Sequence, residues 1–280
     1  ISSLTFRSGT VTAQGIVTVD PTVRLASVPK VVARSPVPDG EAVELAFSPE
    51  EDISERLIFP ITASQSNGIE DARFVEFHDG PRKTYYATYT AYSGSAIRSE
   101  LIETTDFQTF RMGPMRGSAA RNKGMALFPR KINGRYAMIG RQDNENLYLI
   151  YSDDLFSWDG GVAILRPRFP WEFVQIGNCG SPIELDEGWL LLTHGVGPVR
   201  KYSIGAVLLD KDDPSKVLAR SSEPLVRPEP SEREGYVPNV VYTCGAMRHG
   251  DYLVLPYAVS DTFSAFATIR IDALLREMRG

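Results

Sequence analysis

Short runs rich in Val, Ile, Tyr and Leu, broken by Gly, Asn and Asp, make up most of this chain. Such runs are typical of antiparallel β-strands joined by tight turns. Helical spacing or helix-forming composition appears only in the final segment, IDALLREMRG, and in PSEREG at residues 230–235. The pattern therefore predicts an all-β protein with few helices.

Four hairpins share one pattern, a Gly-containing turn followed by an aromatic residue that opens a second strand: HDGPRKTYYATYT, INGRYAMIGR, DEGWLLLTH and HGDYLVLPY. The opening aromatics, 51, 53 and 63 residues apart, are Tyr85, Tyr136, Trp189 and Tyr252. A period of about 50 residues with four strands per unit is typical of β-propeller blades. A β-sandwich, the alternative, gives no reason for such a repeat. We therefore predict a five-bladed β-propeller.

The four repeated units fill residues 66–280, and residues 1–50 are expected to supply one more unit, which is incomplete. The chain opens with Ile1 in a segment that already alternates like a strand. We therefore expect residues 1–280 to form a single β-propeller catalytic domain that lacks an N-terminal portion of the natural protein.

The repeat also places polar residues at equivalent positions in the four units. Five residues after each opening aromatic, at the same strand end, come Thr90, Arg141, His194 and Tyr257. Between 11 and 14 residues before the aromatics come Asp71, Lys123, Asn178 and Asn239. Equivalent strand ends from different blades converge on the axis of a propeller. The register therefore predicts a pocket on the axis in which an acid faces several cationic groups.

Composition excludes several classes of partner and cofactor. The net charge of -5 gives no overall basic field for nucleic acid or a membrane. Cys179 and Cys244 are too few for a disulfide framework, which favours a reducing, cytoplasmic location. The three histidines lack the spacing of a zinc site. We expect no metal and no cofactor.

Five segments give the chain a resemblance to a known family: GIEDARF, NKGMALFPRKINGRYAMIGR, IGNCGSPIELDEGWLLLTHGVGP, YSIGAVLLDKDDPSKV and YVPNVVYTCGA. They resemble glycoside hydrolase family 130, the inverting mannoside phosphorylases and β-mannosidases built on a five-bladed propeller. The segments run in the family's order and cover residues 60–265. The resemblance implies an enzyme that acts on β-mannoside oligosaccharides, with inorganic phosphate as co-substrate.

The resemblance also implies roles for particular residues. Asp71 matches the family's single general acid, whose proton passes through a mannose hydroxyl to the glycosidic oxygen. The residues expected to bind phosphate, which attacks the anomeric carbon with inversion, are Lys123, Arg141 and His194. An aspartate in the family's last blade binds the mannose and matches Asp261. Apart from the resemblance, we also expect Asn67, Arg73, Asn178 and Tyr257 to contact the sugar.

Physical chemistry agrees with a phosphorylase, because phosphate is already a nucleophile and needs only one carboxylate plus cations around it. Arginine offers a planar fork of donors for phosphate oxygens, and Lys123 and a protonated His194 would add charge. We therefore predict a phosphorylase that cleaves β-mannosides to mannose 1-phosphate.

Two alternatives stay open. Arg141 stands between Gly140 and Gln142, whereas the family's phosphate arginine usually follows histidine and precedes proline. An inverting β-mannosidase would need a second carboxylate as base, and the candidates are Asp143, Glu145 and Glu172. A propeller that only binds carbohydrate or a partner is the third reading. The resemblance allows a homo-oligomer, because family members often assemble, but the sequence fixes neither the oligomeric state nor the mannosyl linkage.

Overall fold

The computed structural model describes residues 1–280 except 22, 24 and 230–235. The expected helix at residues 230–235 lies outside the described residues. Elsewhere the structure is almost entirely β. The N-terminal part contributes six strands: β1 (Leu4–Thr5), β2 (Gly9–Val11), β3 (Val17–Val19), β4 (Lys30–Val37), β5 (Gly40–Ala46) and β6 (Leu57–Ile58).

Four large antiparallel sheets follow the order of the predicted repeats. The first is built on β7 (Gly68–Asp79), β8 (Arg82–Tyr92), β9 (Ile97–Thr104) and β10 (Thr109–Pro114). The second contains β11 (Ala126–Leu127), β12 (Tyr136–Gly140), β13 (Leu147–Ser152) and β14 (Val162–Leu165). In each of these two sheets a first strand is joined by a Gly-containing turn to a second strand, and two further strands follow, as the repeat predicts.

The remaining two sheets split the first strand into two pieces that pair with the same second strand. The third sheet contains β15 (Gln175–Asn178), β16 (Ile183–Leu185), β17 (Gly188–Val196), β18 (Tyr202–Leu209) and β19 (Val217–Arg220). The fourth contains β20 (Val241–Tyr242), β21 (Met247–His249), β22 (Tyr252–Val259) and β23 (Phe263–Arg270). The predicted C-terminal helix is α1 (Ile271–Arg279), which buries Ile271, Leu274, Leu275 and Met278. Short 3-10 helices occupy Ile53–Glu55, Ala63–Gln65, Ser118–Arg121, Pro170–Glu172 and Pro198–Arg200.

Consecutive sheets pack face to face, because their second strands are apolar on both sides. In β17, Trp189 and Leu191 pack against the second sheet, while Leu190 and Leu192 pack against the fourth sheet and α1. Since side chains alternate between the two faces of a strand, a continuous apolar run is what a strand buried on both faces requires. The result is a propeller-like arrangement of four sheets whose first strands meet at the centre.

Among the described residues, the N-terminal part does not form a fifth four-stranded sheet, although β1 pairs with β6 and β2 pairs with β3 in two small sheets. Instead, β5 pairs with β10, and β4 pairs with β5, so this hairpin extends the first sheet at its outer edge. The remaining N-terminal residues lie between the fourth and first sheets, where Thr268 donates a hydrogen bond to the Gly15 carbonyl and Ser2 bridges to Gly68. The all-β propeller-like fold is confirmed, and the number of blades stays a prediction.

Candidate active site

Asp71 projects from a bulge in the first strand of the first sheet. The register of β7 against β8 shifts between Glu70 and Arg73, and Asp71 has a left-handed backbone conformation with φ 56°. That conformation costs most non-glycine residues about 1–2 kcal/mol, although Asp adopts it more readily than most. The bulge turns the Asp71 side chain out of the strand and into a cavity.

Arg73 holds this bulge in place. Its side chain is almost fully buried, and Nη1 donates to the Asp71 carbonyl at 2.9 Å. Nε donates to the Cys179 carbonyl at 3.0 Å, and Nη2 donates to the Tyr242 hydroxyl at 2.6 Å. Arg73 Nη2 also lies 3.7 Å from Asp71 Oδ2. One guanidinium therefore ties together the first, third and fourth sheets, and its donors contact protein groups rather than the cavity.

The expected phosphate-binding residues gather on the other side of Tyr242. The buried Arg141 places Nη1 3.4 Å from His194 Nε2, and its Nε donates to the Lys123 carbonyl at 3.4 Å. The His194 ring packs on the Tyr242 ring with centroids 5.0 Å apart. Residues from three sheets thus form one polar cluster, as the repeat register predicts.

His194 carries no positive charge in this cluster. Burial, together with the neighbouring cations Arg141, Arg73 and Lys123, holds its pKa well below the usual value for histidine. The imidazole is therefore neutral near neutral pH in the ligand-free protein. The sequence-based expectation of a protonated His194 is not met here, because burial and the neighbouring charges all oppose protonation.

Several buried polar groups near the axis have no hydrogen-bond partner among the described residues. They are both side-chain polar atoms of Asn178, Nδ1 of His194, Oγ1 of Thr90 and Oγ of Ser181. Buried polar groups in folded proteins are ordinarily hydrogen-bonded, because an unpaired one costs about 1–3 kcal/mol. The unpaired atoms of Asn178 and His194 are therefore available to bind a polar ligand.

A cavity of about 1000 Å³ opens from Asp71 between the first and fourth sheets. Its polar lining includes Tyr257 and Asp261, both expected to contact the sugar, together with Tyr202 and Tyr242. Asn67 differs from this set, since it lies exposed beside Gly94 and does not line the cavity. The cavity therefore brings Asp71, Tyr257 and Asp261 together. Asn67 does not line it, and neither do Lys123, Arg141 and His194, which lie beyond Tyr242.

Two of the three acids considered as a hydrolytic base are committed to structural contacts. Glu172 is fully buried, pairs with Arg220 at 2.6 Å and accepts hydrogen bonds from two backbone amides. Asp143 accepts from the backbone amides of Glu145 and Asn146. Although burial opposes it, these bonds lower the pKa of Asp143 to about 2. Glu145 is exposed and forms no ion pair within the part of the chain that the structure describes.

Sequence reasoning missed two residues of the cluster. With its amide oriented to suit its neighbours, Gln175 accepts from Arg141 Nη1 at 2.9 Å. The repeat register does not identify Tyr242, because 13 residues before Tyr252 it reaches Asn239. Counting 10 residues back, close to the 11 that separate Asn178 from its own aromatic, reaches Tyr242. The spacing in the sequence could therefore have identified Tyr242, but only with knowledge of where the first strand of the fourth sheet is interrupted.

No group of His, Cys, Asp and Glu in the described ranges is arranged to hold a metal ion. Within the same residues, no helix is long and apolar enough to cross a membrane.

An acid in a cavity beside a cluster of cations is suited to an enzyme that binds an anion. Residues 48–279 match the family model for glycoside hydrolase family 130, described as beta-1,4-mannooligosaccharide phosphorylase. The chain belongs to glycoside hydrolase family 130.

Named relatives agree with this membership. The chain is 36% identical over 221 residues to the 1,2-beta-oligomannan phosphorylase of Thermoanaerobacter sp. (strain X514), covering 75% of this chain and 71% of that protein. It is 34% identical over 231 residues to the beta-1,2-mannobiose phosphorylase of Listeria innocua, covering 79% of this chain and 63% of that protein. The chain therefore spans about two thirds of the length of these relatives.

A solved structure is similar in fold. The beta-1,2-mannobiose phosphorylase from Listeria innocua in complex with beta-1,2-mannobiose superposes with a TM-score of 0.71 and 30% sequence identity. The match covers 85% of this chain and 69% of that chain.

Proposed function

We propose that this protein is a β-mannoside phosphorylase that cleaves manno-oligosaccharides with inorganic phosphate and releases mannose 1-phosphate with inversion. The observation that carries this assignment is the connection of Asp71, through Arg73 and Tyr242, to the cluster of Arg141 and His194. One acid and one group of cations at the two ends of a single site are what phosphorolysis requires.

The proposed reaction uses each group once. Asp71 gives its proton, by way of a mannose hydroxyl, to the glycosidic oxygen as the bond from that oxygen to the anomeric carbon breaks. A phosphate oxygen forms the new bond from the opposite face, which inverts the configuration. Arg141 and Lys123 hold the phosphate. His194, which is neutral before the anion binds, donates a hydrogen bond to it whether or not binding adds a proton to the ring.

The carboxylates favour phosphorolysis over hydrolysis. An inverting hydrolase places a base about 6.5–9.5 Å from its acid with water between them. Glu172 is paired with Arg220, and Asp143 orders its own loop, so neither is free for that role. Of the three candidate bases, only the exposed Glu145 is without such structural contacts in the part of the chain that the structure describes.

Both relatives carry names that refer to β-1,2-linked mannosides, and we infer the same linkage here as the first substrate to test. The five-bladed count with an incomplete first blade, the cytoplasmic location, the absence of a cofactor and the homo-oligomer also stay predictions for this chain.

The deciding experiment incubates the protein with β-1,2-mannobiose or β-1,4-mannobiose, each with and without phosphate, and follows products by phosphorus NMR and sugar analysis. We expect mannose 1-phosphate and one equivalent of mannose only when phosphate is present. Phosphate-independent release of two mannose molecules would instead identify a β-mannosidase. No cleavage of either disaccharide would leave the binding-module reading.

A further inference from the structure

Tyr242 lies between Asp71 and the polar cluster that contains Arg141 and His194. It ends β20, lines the cavity beside Asp71, and packs its ring against His194 and Tyr202, with centroids 5.0 and 6.4 Å away. Two aromatic neighbours and its place in a strand fix the direction of the ring. A tyrosine held in this way presents its hydroxyl at a defined position.

The hydrogen bond from Arg73 determines how that hydroxyl is used. A guanidinium has only donors, so in the 2.6 Å contact Arg73 Nη2 donates and the Tyr242 oxygen accepts. The single hydroxyl hydrogen is then not used in the bond to Arg73. No group among the described residues accepts it. The hydrogen is therefore available to a ligand in the cavity.

Arg73 Nη2 also places the Tyr242 hydroxyl near the Asp71 carboxylate. Arg73 Nη2 lies 2.6 Å from the Tyr242 oxygen and 3.7 Å from Asp71 Oδ2, so both oxygens are neighbours of one atom. Cys244 Sγ lies 4.0 Å from the other carboxylate oxygen, Asp71 Oδ1. Burial raises the pKa of Tyr242 well above its usual value, even though Arg73 opposes this, so the hydroxyl keeps its proton at neutral pH.

Building on the proposed phosphorolysis, we propose that Tyr242 is a further catalytic residue, which donates a hydrogen bond to the mannose hydroxyl that relays the proton from Asp71. Arg73 is its positioning residue, because it occupies the acceptor side of the Tyr242 oxygen and directs the hydrogen toward the ligand. No covalent step is added. The hydrogen bond orients the relaying hydroxyl so that it accepts from Asp71 while it donates to the glycosidic oxygen.

The test compares Tyr242→Phe with wild type, using β-1,2-mannobiose and, separately, 2,4-dinitrophenyl β-mannoside, whose leaving group needs no proton. We expect kcat on mannobiose to fall about tenfold, which is the effect of one hydrogen bond of about 1.4 kcal/mol. The loss on the aryl mannoside should stay below about threefold, and the KM for phosphate should change little.

Tyr89→Phe is the matched control. Tyr89 is also buried, and its hydroxyl is bonded on both sides, to Glu100 and Gln65, but it lies within the first sheet and outside the cavity. This variant should lose stability without a change in kcat. Arg73→Lys retains charge but not the fork of donors, and it should reproduce the substrate dependence of Tyr242→Phe.

Three results would overturn the role of Tyr242: a kcat on mannobiose within about twofold of wild type, equal losses on both substrates, or an effect confined to the KM for phosphate. None of them would affect the proposed function, which depends on whether the wild-type protein makes mannose 1-phosphate. If wild type hydrolyses mannobiose instead, the phosphorylase assignment fails, while the comparison of the two leaving groups still measures proton delivery.

Discussion

Arg73 donates a hydrogen bond from Nη1 to the backbone carbonyl of Asp71, two positions earlier in the chain, and this bond accompanies the left-handed conformation of Asp71. The short spacing allows the guanidinium to reach back across the bulge. Its other donors are fixed by the third and fourth sheets, so the acid is positioned by the assembled ring rather than by its own strand.

Asp71→Asn should abolish phosphorolysis while the fold stays intact. The amide cannot supply the proton, and general acid catalysis contributes about 10²–10⁴ in rate. We expect kcat to fall at least about 100-fold with little change in the thermal midpoint. The neighbouring Glu70→Gln is the control, since Glu70 contacts Ser2 and not the cavity. Substantial turnover by Asp71→Asn would remove Asp71 from its role.

Arg141→Ala should weaken phosphate use far more than mannoside binding. A hydrogen bond from a charged group contributes about 1.5–3 kcal/mol, so the KM for phosphate should rise by about 10- to 100-fold. Steady-state kinetics with each substrate varied in turn measures the difference. Arg135→Ala removes an exposed arginine from the same sheet and should change neither KM. An unchanged phosphate KM in Arg141→Ala would contradict the assignment.

Gly124→Ala should impair the same site for a steric reason. A Cβ at Gly124 would lie 2.8 Å from Nε of Arg141, whereas a Cβ at Gly134 would meet nothing within 4 Å. Both glycines have positive φ, 90° and 78°, so both alanine variants carry similar backbone strain. Only Gly124→Ala should raise the KM for phosphate. Equal effects in both variants would show that strain, and not displacement of Arg141, is responsible.

Anion binding should be coupled to a proton on His194. The pKa of His194 is held well below its usual value, first by burial and then by Arg141, and a bound dianion offsets those cations. Affinity for sulfate, which stays a dianion, should therefore rise as pH falls below about 6.5. Calorimetry in buffers of different ionisation enthalpy measures the proton uptake directly, and His194→Asn should abolish it.

Without an anion, the depressed pKa of His194 makes the protein less stable as pH falls, whereas anion affinity increases. The native pKa of His194 lies below its unfolded value of about 6.5, so the unfolded chain takes up the proton first. The free energy of unfolding should therefore decrease as pH falls below about 6.5, and this decrease should be smaller in His194→Asn. A sulfate affinity that does not increase as pH falls below about 6.5 would contradict the coupling.

The Glu172–Arg220 pair should prove structural. Arg220→Met leaves the fully buried Glu172 without its cation, which should cost about 3–5 kcal/mol of unfolding free energy. Adding Glu172→Gln removes the unpaired charge and should recover part of that loss, as urea unfolding of the single and double variants would measure. If Glu172→Gln alone kept full stability but lost catalysis, a role as hydrolytic base would return.

The repeat can be predicted from the sequence because turn residues and apolar runs, which depend on neighbouring residues, determine it. Asn133 and Gly134 both have positive φ in a tight turn, which is what the Asn-Gly pair favours between two strands. The apolar run from Trp189 to Leu192 shows a strand buried on both faces without any knowledge of its neighbours. These features predicted the order of the sheets, the C-terminal helix and the strand ends that carry Arg141 and His194.

The sequence by itself determined the all-β architecture, the family and the gathering of an acid with several cations, because turns, alternation and motif spacing are properties of nearby residues. Only the tertiary structure decided that Tyr242 joins the site, that Asn67 stays apart from it and that His194 is neutral. Those outcomes depend on burial and on charges brought from three sheets, and both arise only when distant parts of the chain pack together.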